Sequence, residues 1–245
     1  MNLEVLPVSS SRHPVQTTTT TRKPDGLPIF IMTDSKIAAL LRVSTSTIVL
    51  ARHGKAPKLF DEQRDGERML NDKGIDQAKQ LGQRIGTTNF DVVLSSPLKR
   101  VEDTLSIATG GRQYVINSVP ELTIPDNSEH PIMIMFNALS YSPMCKYIEH
   151  PLGEQLKHYG RTALETILAR LNTEKVGQKI LIGGHAVLLN ALVWAMADPL
   201  ELEGGMNASQ LRIMALETSL GECEAFEITL RLGSDTALCR HIKLD

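Results

Sequence analysis

Cysteine is scarce in this sequence: Cys145, Cys223 and Cys239 are odd in number and far apart, with no C-x-x-C spacing. That argues against a disulfide framework or a thiolate zinc site and fits a reducing, cytoplasmic setting in which the thiols are small buried groups. Cys223 and Cys239 are spaced so that they can meet on neighbouring strands. Long hydrophobic runs are also missing. The longest, Ala186 to Ala197, is interrupted by Asn190 and falls short of the roughly 20 apolar residues a bilayer crossing needs, so no membrane span is expected. Ile29 to Met32 is too short for the apolar core of a signal peptide. Charge is nearly balanced, 26 Lys plus Arg against 28 Asp plus Glu for a net of −2, which removes the broad basic footprint of a nucleic-acid binder. Any anion site must therefore be local. There is no G-x-x-x-x-G-K-[ST] loop, no strand-linked G-x-G-x-x-G and no H-E-x-x-H, so neither a nucleotide cofactor nor a metal is expected.

The 245 residues are 42% hydrophobic and 22% charged, enough apolar material for a packed domain. Residues 1–46 differ from the rest. Ser9 to Ser11 and Thr17 to Thr21 crowd hydroxyl groups between prolines, and this stretch reads as a mostly disordered extension with one short helix over Asp34 to Val43. Residues 47–245 read as one domain. Short β-branched runs at 47–51, 91–95, 114–119, 179–183, 211–216 and 225–230 predict strands. Patterns of helical period at 74–87, 98–109, 153–172 and 186–197 predict helices between them. Residues 124–151 hold four prolines without a clear period and are read as an irregular insertion. Alternation of this kind predicts an α/β fold, a three-layer α/β/α sandwich around a mostly parallel central sheet.

Chemistry gathers at three strand ends. The first strand runs into Arg52-His53-Gly54, the second into Ser95-Ser96-Pro97-Leu98-Lys99-Arg100, and the fourth into Gly183-Gly184-His185. In a parallel sheet all three emerge on one edge, where open α/β sheets bind ligands. Two guanidinium forks suit a phosphoryl group, whose transfer asks mainly for positioning and cationic stabilisation. A neutral imidazole can attack phosphorus and carry it covalently, and neighbouring guanidinium charge favours the neutral form.

These segments, in this order, resemble the histidine phosphatase superfamily, also called phosphoglycerate-mutase-like, with its R-H-G, S-x-L-x-R and later G-H elements. The resemblance implies a metal-independent phosphatase that hydrolyses a phosphomonoester or phosphohistidine through a covalent phosphohistidine. On it, His53 is the nucleophile, its ring fixed by main-chain carbonyl near Gly54, while Arg52, Arg100 and His185 hold the phosphate. Glu121, in Val119-Pro120-Glu121-Leu122-Thr123, takes the position of the general acid, with Asp126 and Glu129 as competitors. Lys55, Lys58, Arg64 and Arg68 follow the nucleophile and can steer anionic substrates.

A finer similarity, to the small bacterial phosphohistidine phosphatases, rests on Arg52 to Ala56, on Arg68 to Gly74 leading into Gln77-Ala78, and on Pro120 to Thr123. Val101 and Asp103 depart from the superfamily's S-x-L-x-R-A-x-Q-T, and the mutase asparagine after R-H-G is missing. The expected partner is a phosphorylated small molecule or a phosphoprotein; a phosphomutase and a non-catalytic phosphate binder are the alternatives. Nothing in the sequence sets the oligomeric state.

Overall fold

The computed structural model describes residues 20–22, 28–30, 47–57, 65–86, 89–112, 114–125, 127–140, 142–171, 177–202, 207–230 and 237–244. The chain divides into two compact units, Met1–Met32 and Thr33–Asp245. In the first, β1 (Thr20–Arg22) and β2 (Pro28–Phe30) pair antiparallel, Thr21 opposite Ile29. The helix expected over Asp34 to Val43, and the remainder of the 1–46 extension, lie outside the described residues.

The second unit runs β3 (Thr47–Arg52), α1 (Asp72–Ile85), β4 (Val92–Ser95), α2 (Lys99–Ala108), β5 (Ile116–Ser118), α3 (Pro131–Leu139), α4 (Met144–Glu149), α5 (Gly153–Arg170), β6 (Lys179–Gly184), α6 (Ala186–Leu202), α7 (Asn207–Glu217), β7 (Ala225–Leu230) and β8 (Ala237–Ile242). The six strands from β3 onward form one sheet in the order β5-β4-β6-β3-β7-β8. β5, β4, β6 and β3 are parallel, and β7 and β8 extend the sheet antiparallel beyond β3.

Alternation along the strands assigns the layers. Val49, Ala51, Val93 and Leu181 point to the face covered by Ala78, Leu81 and Ile85 of α1 and by Leu105 and Ala108 of α2. Ile48, Ile180 and Ile182 point the other way, where Leu164, Ile167 and Leu168 of α5 and Leu192 and Met196 of α6 close on a small apolar gap. Each valine, leucine, isoleucine or methionine among them, fully removed from water, contributes about 1.5–3 kcal/mol. The expected three-layer α/β/α sandwich with a mostly parallel sheet is the architecture observed.

Three local expectations change. The run Leu211 to Leu216 is helical, not a strand, because Ala208, Leu211 and Ala215 recur at the helical interval and are all buried. The buried amide of Asn190, the polar break in the apolar run of α6, donates at 2.7 Å to the carbonyls of Ala215 and Thr218 at the end of α7. The insertion 124–151 is ordered into α3 and α4. Pro131 opens α3 behind His130, whose Nδ1 accepts from the Ile132 N–H, and the Tyr147 hydroxyl donates to the Ser140 carbonyl. Buried Ile132, Met135, Met144 and Tyr147 pack with Leu156, Leu188 and Ala191 into a second core cluster. Cys239 lies opposite Ile228 on β8, whereas Cys223 sits in the turn before β7, so the two cysteines do not pair across strands and all three thiols are free.

Candidate active site

Register brings the chemistry together. Arg52 of β3 pairs with Gly184 of β6, and Ser95 of β4 with Gly183, so the three strand ends finish level. Past the last pair the chains stay linked: His53 N–H donates to the Gly184 carbonyl at 3.1 Å and Ser96 N–H to the Gly183 carbonyl at 3.0 Å. His53, Ser96 and His185 thus leave the sheet side by side. The two imidazole rings stand edge to face with centroids 5.1 Å apart, and Ser96 Oγ lies 3.1 Å from His185 Nε2. Gly183 lets α2 pack closely on the sheet here, because a Cβ there would come within 2.7 Å of Val101 Cγ1. Val101, where the resembled pattern has alanine, fills that space from α2.

His53 Nδ1 lies 2.7 Å from the Gly54 carbonyl oxygen. A carbonyl only accepts, so Nδ1 carries the proton and Nε2 is left with its lone pair. Arg100 Nε–H points at that lone pair from 3.4 Å. Burial pushes the His53 pKa down to about 3, against the raising effect of the Gly54 carbonyl and with the charges of Arg100, Arg52 and Arg68 adding to the fall. His185 is held well below its ordinary value by burial first, then by His53 and the same three arginines. Both rings are therefore neutral at neutral pH, the form nucleophilic attack requires.

The Gly54 peptide is itself clamped. Its N–H donates at 3.0 Å to the hydroxyl of Thr104 on α2, which in turn donates at 2.7 Å to the Arg100 carbonyl. On the other side, Lys55 N–H donates to Gln77 Oε1 at 2.9 Å and the Lys55 carbonyl accepts from Asn71 N–H at 3.0 Å. Asn71 caps α1 by accepting from Gly74 N–H at 2.9 Å. Gly74 has no room for a side chain, since a Cβ would fall 2.2 Å from the Lys55 carbonyl oxygen. The Arg68-to-Ala78 segment thereby packs the cap of α1 against the R-H-G loop.

Arg52 reaches the carbonyl of Leu220 with Nη1 at 2.6 Å. Arg100, only 2% exposed, is held by a residue the sequence analysis did not single out: Nη1 donates to the Asp65 carbonyl and Nη2 to Asp65 Oδ2, each at 2.7 Å. Arg68 binds the other carboxylate oxygen, Oδ1. Burial alone would raise the Asp65 pKa; the charges and hydrogen bonds of Arg100 and Arg68 outweigh it and hold the carboxyl below its ordinary value. Three of the five N–H donors of Arg100 are engaged in this way, counting the one toward His53.

The structure thus brings His53, Arg100 and His185 into direct or near contact, with Arg52 close enough to depress both imidazoles. Glu121 occupies a 3-10 turn, Pro120–Leu122, after β5, and the N–H of Val119 just before it donates to the Ser95 carbonyl at 2.8 Å. Of its competitors, Glu129 is exposed and Asp126 lies outside the described residues, as do Lys58 and Arg64. Sequence reasoning missed Asp65, Ser96 and Thr104 as supports. Ser96 and Thr104 were legible as strand-end and i+4 neighbours of Arg100; Asp65 carried no signal.

The family model described as histidine phosphatase superfamily (branch 1) matches residues 48–123. Over 154 residues the chain is 28% identical to an adenosylcobalamin/alpha-ribazole phosphatase of Escherichia coli (strain K12), covering 59% of this chain and 75% of that protein. The corresponding Salmonella typhimurium protein is 29% identical over 132 residues, 51% of this chain and 65% of its own length. Among solved structures, a phosphoserine phosphatase from Entamoeba histolytica shares the fold with a TM-score of 0.52 at 18% identity, covering 81% of this chain and 98% of that one. A putative alpha-ribazole-5'-P phosphatase from Escherichia coli does so with a TM-score of 0.51 at 20% identity, covering 82% and 97%.

Proposed function

We propose that the chain is a member of the histidine phosphatase superfamily, whose family model matches residues 48–123, and that residues 47–245 form a phosphatase domain that hydrolyses small phosphomonoesters through a phosphohistidine on His53. The single observation that carries the mechanism is the His53 ring itself, its Nδ1–H spent on the Gly54 carbonyl and its Nε2 lone pair directed toward Arg100.

Nε2 attacks phosphorus, the ester P–O bond breaks as the N–P bond forms, and a proton from Glu121 passes to the departing alcohol oxygen. Water then attacks phosphorus, giving its proton to the Glu121 carboxylate, and the N–P bond breaks to release inorganic phosphate. Arg52, Arg100 and His185 bind the equatorial oxygens, and Arg68 adds charge at the entrance. Charge stabilisation is the main contribution such a site makes, and two fixed guanidinium groups in a buried setting supply it without reorganisation.

Two curated relatives named as adenosylcobalamin/alpha-ribazole phosphatases support a small-molecule phosphomonoester over a phosphoprotein, and alpha-ribazole phosphate is the first compound to test. The decisive experiment is rapid-quench labelling with a phosphorus-labelled aryl phosphate. Wild-type protein should give an acid-labile, base-stable phosphoenzyme and steady release of phosphate, and His53→Ala should give neither. Undiminished turnover by His53→Ala refutes the mechanism.

A further inference from the structure

Among the described residues, few side-chain polar atoms are buried without a hydrogen-bond partner, and two of them, Glu121 Oε2 and the Tyr159 hydroxyl, are near enough to interact electrostatically. They come from different elements, the 3-10 turn after β5 and the middle of α5, which pack together. Tyr159 packs on the core cluster of the insertion, as does Val187, two residues past His185. The Val119 N–H to Ser95 carbonyl bond ties the Glu121 turn to the end of β4, next to the strand ends that carry Ser96 and His185.

Leaving one buried polar group unpaired costs about 1–3 kcal/mol, and native structures keep such groups chiefly where a ligand or water completes them. Burial first, and then the charge of Glu121, hold the Tyr159 phenol well above its ordinary pKa, so it stays protonated and is available as a donor. Neither group has a hydrogen-bond partner in the protein, so both are open to bonding a third hydroxyl.

We propose that Tyr159 is a substrate-binding residue that donates its hydroxyl hydrogen to a hydroxyl group on the alcohol part of the phosphoester, beside the ester oxygen that Glu121 serves. The chemical class is a phosphorylated polyol or sugar. A carboxylate at the same place would face the Glu121 carboxylate in its charged state, and a plain alkyl or aryl group would leave the phenol unpaired. This assignment rests on the phosphatase reading above and adds to it the source of selectivity.

The test compares Tyr159→Phe with the full wild-type chain on glycerol 1-phosphate, ethyl phosphate and 4-nitrophenyl phosphate. The expected result is a loss of about tenfold in kcat/KM on glycerol 1-phosphate, mostly in KM, with the other two substrates within about twofold. An equal loss on all three, or no loss on glycerol 1-phosphate, overturns the assignment. Should the Phe variant fail to fold, the wild type decides: a preference of about tenfold or more for glycerol 1-phosphate over ethyl phosphate supports Tyr159 as the hydroxyl reader, and equal kcat/KM values overturn it. Turnover of 4-nitrophenyl phosphate by wild type separates the two readings. Its absence removes the phosphatase and the assignment together, whereas its presence with no discrimination at Tyr159 removes only the assignment.

Discussion

Thr104→Val is the sharpest test of how His53, the proposed nucleophile, is held. The substitution preserves shape and burial while deleting one hydroxyl, and that hydroxyl accepts the Gly54 N–H at 3.0 Å and donates to the Arg100 carbonyl at 2.7 Å. Gly54 is buried, so its N–H would be left without a partner or drawn toward one elsewhere. An unsatisfied buried N–H costs about 1–3 kcal/mol. In a domain of this size that is a fall in Tm of roughly 2–12 °C, read by differential scanning calorimetry, with a matching decrease in urea midpoint at constant m. The catalytic effect is separate. The carbonyl that fixes the His53 ring belongs to Gly54, so rotation of this residue's backbone displaces Nε2, and misplacement by about 1 Å costs about a hundredfold in rate. We expect kcat to fall about 10- to 100-fold with KM changed by less than about threefold, and Thr104→Ser, which keeps the oxygen, to retain most of kcat. A Val variant with wild-type kcat and stability within about 0.5 kcal/mol would refute the claim that this hydroxyl holds the loop.

Three further outcomes follow from the same geometry. The His53 pKa of about 3 lies below its ordinary 6.5, so between those values the unfolded chain binds a proton the folded chain does not. The stability present above pH 6.5 is therefore lost toward pH 3, at about 1.4 kcal/mol per pH unit from this group alone, and urea titrations in which stability is flat across that window would contradict the neutral ring. Gly74→Ala drives a Cβ to 2.2 Å from the Lys55 carbonyl oxygen, a backbone atom that cannot swing aside; a loss of about 2 kcal/mol or more with reduced kcat/KM is expected, and an unperturbed variant would mean the cap of α1 does not set the R-H-G loop. Asp65→Asn keeps an acceptor for Arg100 but removes a negative charge from the pocket, so vanadate should inhibit the variant about fivefold more tightly at low salt, worth about 1 kcal/mol; weaker inhibition would show that Asp65 orders the arginine more than it neutralises it.

Much of the fold was legible because burial on both faces leaves a simple imprint. The parallel strands β3, β4 and β6 are runs of aliphatic residues that end at glycine, serine or arginine, and α1 and α5 carry their apolar residues at regular helical intervals. Where the signal is ambiguous the reading failed for a definable reason. Leu-Arg-Ile-Met-Ala-Leu suits a strand by composition, yet the chain spends it on α7, whose end is fixed by a side chain on another helix, Asn190. The insertion looked irregular because its prolines were read as breakers, whereas Pro131 and Pro143 stand at the beginnings of α3 and α4, where the missing N–H is no loss.

The site divides along the same line. His53, Arg100 and His185 were visible because each directly follows or opens an element whose end the sheet register fixes, so adjacency in space follows from topology. Asp65 was not, because its pairing with Arg100 spans 35 positions and no motif marks it. Electrostatics nonetheless requires a residue of this kind. A guanidinium only 2% exposed is expensive to bury without a counter-charge, and on the proposed mechanism the protein must supply one itself while the phosphoryl group is away. A carboxylate that is partly solvated and shared with the partly exposed cation Arg68 fits that part better than a fully buried one, since it can yield as an anion enters without stranding a charge of its own. By this reasoning a phosphate pocket built on a buried arginine implies an acidic residue within reach even where no motif marks it, and the place to look is the loop that closes over the strand ends.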